Sequence, residues 1–159
     1  MDVFFLRHGE PIESSAWEGD EAARPLTDEG IELMRQEAKA LAGLSLGITL
    51  ILSSPLKRAV QTAAITAEAL GLSKAVRTDK RLAPGFDIAE LQTILSDNAK
   101  AGTLLLVGHE PDFSLTVSAC IGGGDLEFKK GGLARVQIAL TPEPRGWLQW
   151  LFPPQVLAP

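Results

Sequence analysis

Cysteine is almost absent from this chain: Cys120 is the only one in 159 residues. An internal disulfide is therefore impossible, and so is a Cys-rich metal site. Cys120 itself lies in the apolar stretch VSACIG, where a thiol serves as a small core side chain rather than a nucleophile. Histidine is scarce too. His8 and His109 are the only two, so a three-histidine zinc site cannot be assembled, and neither a metal nor a cofactor is expected. Long apolar runs are missing, and nothing approaches the ~18 residues of a transmembrane helix. The N-terminus, MDVFFLRHGE, carries an acid at position 2 and only four consecutive apolar residues, which is no secretory signal. The expected compartment is the cytoplasm. Basic charge is in deficit, with 15 Lys and Arg against 20 Asp and Glu for a net charge of −5. That balance disfavours sequence-independent nucleic-acid binding, which runs on phosphate neutralisation. It also disfavours the basic face of a membrane-surface protein.

What remains is globular. Apolar residues make up 45% and charged residues 22%, and the length predicts one domain over residues 1–159. Val3 to Leu6 is a short, wholly apolar run that reads as a strand buried on both faces. Thr27 is a candidate N-cap for a helix whose apolar residues fall at Ile31, Met34, Ala38 and Leu41 and which ends at Gly43. Ile48 to Leu52 reads as a second buried strand. Ser54 follows as N-cap with Pro55 at the first helical position, and the helix stops at Gly71. A short strand is expected around Ala75–Arg77. Asp87 then caps a helix carrying Leu91, Ile94 and Leu95. Thr103 to Val107 is a third buried strand, followed by a helix with Phe113, Val117 and Cys120. The last third changes period: residues 133–140 alternate, a turn-rich link follows, and residues 146–152 complete a pair of closing strands. The tail from Pro153 to Pro159 is expected to be irregular. Alternating strands and helices over this length predict an α/β fold with a parallel sheet and helices on both faces.

In such a sheet, ligands sit beyond the carboxyl ends of the strands, and three of these strands end in polar residues. The first runs into Arg7-His8-Gly9-Glu10. The second runs into Ser53-Ser54-Pro55, with Lys57 and Arg58 close behind. The third runs into Gly108-His109-Glu110. A parallel sheet would bring His8, His109, Arg7 and Arg58 to one rim. A neutral imidazole can act as nucleophile near pH 7. Two guanidinium groups can hold several phosphoryl oxygens, and a helix N-terminus behind Ser54 adds N–H groups for an anion. Phosphoryl transfer consists mostly of positioning and charge stabilisation, and this set suits it without a metal. Taken singly the same residues have plainer readings. Ser54 is first of all a cap, Arg24 a surface ion pair, Lys129 and Lys130 a solvated turn, and Trp147 and Trp150 core or sheet-edge residues.

At these residues the sequence resembles the histidine phosphatase superfamily, also called phosphoglycerate-mutase-like. The L-R-H-G-E opening at residues 6–10, Arg24-Pro-Leu-Thr-Asp-Glu-Gly30, Ser53-Ser-Pro-Leu-Lys-Arg-Ala-Val-Gln-Thr62 and Val107-Gly-His-Glu-Pro111 follow that family's motif order. The resemblance implies a three-layer α/β/α sandwich with a mainly parallel central sheet. It implies that His8 accepts the phosphoryl group, that Arg7 and Arg58 bind phosphate, that His109 is the second pocket histidine and that water hydrolyses a phosphohistidine intermediate. Arg24 is a further candidate for a phosphate or partner contact, beside its plainer reading as a surface ion pair. The small size, the RPLT segment close after RHGE and the HEP ending of the fourth motif look like the SixA-type branch. That branch implies action on phosphohistidine in a protein, such as a phosphotransfer domain or phosphocarrier, by a protein expected to be a monomer.

One position departs from the family. Many relatives carry a catalytic Glu after the third strand, where this chain has Arg81-Leu-Ala-Pro-Gly-Phe-Asp87. Glu110 stands where others of the family use an Asp, and Glu110, Glu10 and Asp87 are the candidate general acids. General acid help is typically worth 10²–10⁴-fold, and an alkoxide needs it more than an imidazole does. A pocket without a placed acid therefore favours phosphohistidine. A broad small-molecule phosphomonoesterase and a non-catalytic phosphoprotein-binding module are the alternatives.

Overall fold

The structure, a computed structural model, describes residues 1–159. In the first strand, β1 (Asp2–Arg7), Val3 and Phe5 belong to one buried apolar cluster and Phe4 and Leu6 to another. That split is what an apolar strand with a period of two produces when both sheet faces are covered. It repeats in β2 (Leu50–Ser53) and β4 (Leu104–Gly108). Leu50, Leu52, Leu104 and Leu106 face one side, and Ile51, Leu105 and Val107 face the other. The first side is covered by α3 (Ile88–Asp97) and α4 (Asp112–Ile121), through Leu91, Ile94, Leu95, Phe113, Val117 and Cys120. The second is covered by α1 (Asp28–Gly43), α2 (Lys57–Leu70) and the short α5 (Pro154–Leu157), through Met34, Leu41, Ala59, Ala63, Ala67 and Leu157. The result is three layers, helices on both sides of one sheet.

With β3 (Val76–Thr78), β5 (Leu133–Ala139) and β6 (Arg145–Phe152), the sheet order is β3-β2-β4-β1-β5-β6. The first four strands are parallel, and β5 and β6 are antiparallel additions. β4 lies between β1 and β2, with Arg7 opposite Gly108 and Ser53 opposite Val107. The three polar strand ends therefore lie level at one edge, as the sequence reading requires.

Two helix caps are as expected. Thr27 Oγ1 accepts from Gly30 N–H at 2.9 Å, and Asp87 accepts from the Ala89 and Glu90 N–H groups. Gly71 ends α2 in the left-handed conformation. Two expectations need correction. α2 begins at Lys57 with Leu56 as its N-cap, not at Pro55. The Ser54 hydroxyl accepts from Leu56 N–H, so Ser54 closes the turn before the helix rather than capping its first residue. The tail is not wholly irregular. Pro154, with φ preset for a helix start, opens α5, and its Leu157 is buried in the cluster shared with α1 and α2.

Candidate active site

The chain entering the site is held from several sides. β1 delivers Arg7 and His8, and the next residue, Gly9, packs so closely on α1 that a Cβ there would lie 2.6 Å from Met34 Cγ. Gly9 N–H donates to Thr62 Oγ1 at 3.1 Å, and that hydroxyl donates to the Arg58 carbonyl at 2.8 Å. The RHG segment is thus tied through one threonine to the turn of α2 that carries Arg58. On its other side, Arg7 N–H donates to the Gly132 carbonyl, and Gly131 N–H is shared between the Arg7 and His8 carbonyls.

His8 is only 6% exposed. Its Nδ1 lies 2.7 Å from the Gly9 carbonyl, and a carbonyl only accepts. The ring proton is therefore on Nδ1, and the lone pair of the neutral ring is on Nε2. Burial lowers the pKa of His8 to about 3, with His109, Arg58 and Arg7 adding to the effect against the Gly9 hydrogen bond. The ring is neutral at physiological pH, and its Nε2 lone pair has the chemistry a nucleophile needs. His109, 4% exposed, stands with its ring centroid 5.2 Å from that of His8. Burial, then Arg58 and Arg7, lower its pKa to about 4. Its Nε2 lies 2.7 Å from Ser54 Oγ.

The two arginines are anchored but not saturated. Arg7 donates one N–H to the Phe128 carbonyl at 2.7 Å, while its Nε is buried without a partner. Arg58, also 6% exposed, donates to the Glu21 carbonyl and reaches the Glu21 carboxylate at 3.4 Å, and its Nε is likewise unpartnered. Burial lowers the pKa of both guanidiniums, with Arg24 adding to the effect on Arg58, yet a guanidinium stays charged throughout the physiological range. Two cations with spare donors, Arg58 buried and Arg7 half-buried, and two neutral imidazoles form a cradle for an anion.

All six site residues expected from the sequence, Arg7, His8, Arg24, Arg58, His109 and Glu110, line one cavity of about 300 Å³. Arg24 both meets and exceeds its plain reading. It pairs with Glu21 at 2.7 Å and donates to the Ile12 carbonyl, and it still forms part of the cavity wall. Of the candidate acids, Asp87 is spent capping α3 and does not line the cavity. Glu10 is ion-paired to Lys130 at 2.7 Å. Glu110 lines the wall, with Oε1 held by Ser114 N–H at 2.9 Å. The reading of Lys130 as part of a solvated turn is corrected, because the loop bonded to the Arg7 and His8 carbonyls brings Lys130 to the cavity wall. Glu13 and Ser14 also line it. Nothing in their local sequence marked them, and only the path of the loop after RHGE puts them there. No three His, Cys, Asp or Glu side chains come together in a metal-holding group, and no helix is long and apolar enough to cross a membrane.

Known proteins share this frame. The sequence profile of the histidine phosphatase superfamily (branch 1) matches residues 3–85. Phosphohistidine phosphatase SixA of Escherichia coli (strain K12) is 28% identical over 157 residues, spanning 97% of this chain and 94% of that protein. An uncharacterised protein of Picosynechococcus sp. is 33% identical over 138 residues, 84% of this chain and 82% of that one. Among solved structures, the protein histidine phosphatase SixA complexed with tungstate superposes with a TM-score of 0.87 at 26% identity, covering 99% of both chains.

Proposed function

This chain belongs to the histidine phosphatase superfamily, in its SixA-type branch with a phosphoglycerate-mutase-like fold, and on that premise we propose that it hydrolyses phosphohistidine in a protein substrate through a covalent phospho-His8 intermediate, without a metal. The observation that carries this reading is the unprotonated Nε2 of His8, fixed by the Gly9 carbonyl in a cavity shared with Arg7, Arg58 and His109.

The steps balance without a proton donor. The His8 Nε2 lone pair forms the new N–P bond while the P–N bond of the substrate breaks. The leaving ring, already protonated on its other nitrogen, keeps the electron pair and departs as neutral imidazole. Phospho-His8 retains its Nδ1 proton, and the positive charge that the ring acquires is stabilised by the Gly9 carbonyl. Water then adds to phosphorus, the P–Nε2 bond breaks, the ring returns to neutral and dihydrogen phosphate leaves. Arg7 and Arg58, beside the neutral ring of His109, neutralise the transferring oxygens, the work a metal does elsewhere.

Because nucleophile and leaving group are both imidazoles, the first step needs no acid, and this site offers no buried one. Glu13 is exposed and one oxygen of Glu110 is tied to α4. Apart from Pro11 and Pro84 the cavity wall is made of polar and charged residues, so a free organic leaving group finds little apolar surface there, whereas a side chain presented by a folded protein gains contacts outside the cavity. We take a phosphotransfer domain or phosphocarrier as the partner. A second reading, a small-molecule phosphomonoesterase, is favoured by the position of Glu13 and Glu110 on the wall. The test is phosphate release from a phosphohistidine-labelled phosphocarrier, run with chelator and beside aryl and alkyl phosphates. Release that survives chelation and outpaces the esters supports the first reading. Fast ester turnover with an acid limb lost in Glu110→Gln or Glu13→Gln moves the assignment to the second. Oxyanion binding with no hydrolysis of any substrate points to a binding module.

A further inference from the structure

Ser54 is fully buried in the turn between β2 and α2, and its hydroxyl has two polar neighbours. Leu56 N–H donates to Oγ at 3.3 Å, and His109 Nε2 lies 2.7 Å from Oγ. A hydroxyl has one proton to place, and a neutral imidazole has one proton for two nitrogens. If the ring proton were on Nε2, Ser54 Oγ would accept from both Leu56 and His109. Its own proton would then have no acceptor in a spot closed to solvent, and such an orphaned donor carries a desolvation penalty. The other assignment leaves nothing orphaned around Ser54: Oγ accepts from Leu56 and donates to the Nε2 lone pair. The proton of His109 is then on Nδ1, an atom that is buried and has no partner within the protein. His109 is on the wall of the anion cavity beside Arg7 and Arg58.

We propose that Ser54 is a positioning residue that fixes His109 as its Nδ1–H tautomer, so that this neutral ring offers a hydrogen bond to a phosphoryl oxygen. The inference rests on the phosphoryl-binding reading of the cavity and adds how the two rings divide the work. Both histidines carry their proton on Nδ1, but for opposite ends. The Gly9 carbonyl takes the proton of His8 and turns the bare Nε2 toward phosphorus. The Ser54 hydroxyl takes the bare Nε2 of His109 and leaves the N–H for the anion. Ser54 also resists a second proton on His109, because an imidazolium would need Oγ as acceptor and would orphan the hydroxyl proton.

With only two histidines, long-range ¹H–¹⁵N correlation of the ¹⁵N-labelled protein at neutral pH reads both tautomers directly. Titration with inorganic phosphate then reports binding. The expected result is His109 in the Nδ1–H form, with its Nδ1 resonance moving as phosphate binds. Ser54→Ala should release the tautomer and weaken phosphate binding by about tenfold, the loss expected for one hydrogen bond to a charged ligand. Ser54→Thr should restore both. Wild-type His109 found as Nε2–H while phosphate still shifts His8 overturns the tautomer assignment alone. Phosphate that moves neither ring overturns the phosphoryl-binding reading, and this inference with it. If Ser54→Ala fails to fold, the wild-type tautomer and Ser54→Thr decide the matter.

Discussion

The two ends of the sheet both carry cations beside a concavity, and they differ in a way that size does not capture. At the amino ends of the strands a concavity of about 670 Å³ is bordered by Thr49, Lys74, Arg77 and Lys100 among others. At the carboxyl ends the cavity is less than half that volume, about 300 Å³. The larger one has exposed cations that water already solvates, so an arriving anion gains little from them. The smaller one has Arg58 and both histidines buried, with unpartnered nitrogens on Arg7, Arg58 and His109. Groups whose desolvation was met during folding lose nothing more when an anion arrives, and this preorganisation distinguishes a site from a dent.

The sharpest way to break that contrast is at His8, the proposed nucleophile. His8→Ala should lower turnover by roughly 10⁴-fold or more, the scale seen when a covalent nucleophile is removed. Full activity in a folded variant would end the assignment. Arg58→Ala should follow at about 10²–10³-fold in kcat, since one fixed donor to the transferring group is lost. Its phosphate affinity should fall together with its rate. Phosphate affinity unchanged in Arg58→Ala would show that the guanidinium serves the fold alone.

Much of this was readable in the sequence because the strands are short and wholly apolar. Runs such as Val3–Leu6 and Leu104–Val107 must be buried on both faces, so their polar successors fall at one rim, and Arg7, His8, Arg58 and His109 follow from that topology. What could not be read depends on loops and on single hydrogen bonds. Lys130 looks like any exposed lysine in a Gly-rich turn. Its position comes from Gly131 N–H bonding back to the Arg7 and His8 carbonyls, a contact across more than a hundred residues. Ser54 looks like a helix cap because Ser-Pro often is one, and only the spatial neighbour His109 gives its hydroxyl a second task. Glu37 carries no signal at all: it occupies an ordinary position on α1, yet it is 0% exposed.

Glu37 sharpens the comparison as a buried polar group beside the site but outside it. Neither carboxyl oxygen has a partner, and burial raises its pKa from 4.5 to about 8. Both oxygens press on Gly131, where a Cβ would lie 2.7 Å from them in a backbone with φ of +78°. An acid with a raised pKa holds its proton more tightly folded than unfolded. Its contribution is therefore complete below pH 4.5 and is lost as pH rises toward 8. The histidines run the other way. Their lowered values mean that the unfolded state gains protons first as pH falls below 6.5, so their contribution is lost on the acid side. Glu37→Gln should abolish the alkaline decline, which amounts to roughly 2–4 kcal/mol between pH 5 and pH 8, and should leave the acid decline in place. Urea unfolding at the two pH values measures both slopes. An unchanged alkaline slope in the variant would mean that Glu37 is not the group responsible. Gly131→Ala should destabilise at every pH, because its Cβ meets the carboxyl.

The smallest effect is expected at the opposite end of the sheet. Replacing Lys74, Arg77 and Lys100 together by Ala removes three cations that form no ion pair within the protein. Five residues of β4 separate the two ends, roughly 16 Å at ~3.3 Å per residue, about twice the ~8 Å Debye length at physiological salt. Exposed charges at that distance are largely screened, so phosphate affinity and turnover should stay within about twofold of the unsubstituted protein at 0.15 M salt. The triple variant should lose more at 10 mM salt, where the Debye length of ~30 Å exceeds that separation and the charges are felt across it. A loss of tenfold or more that persists at 0.15 M salt would mean that the larger concavity takes part in binding the phosphorylated partner, and that burial of charge does not by itself separate the two ends.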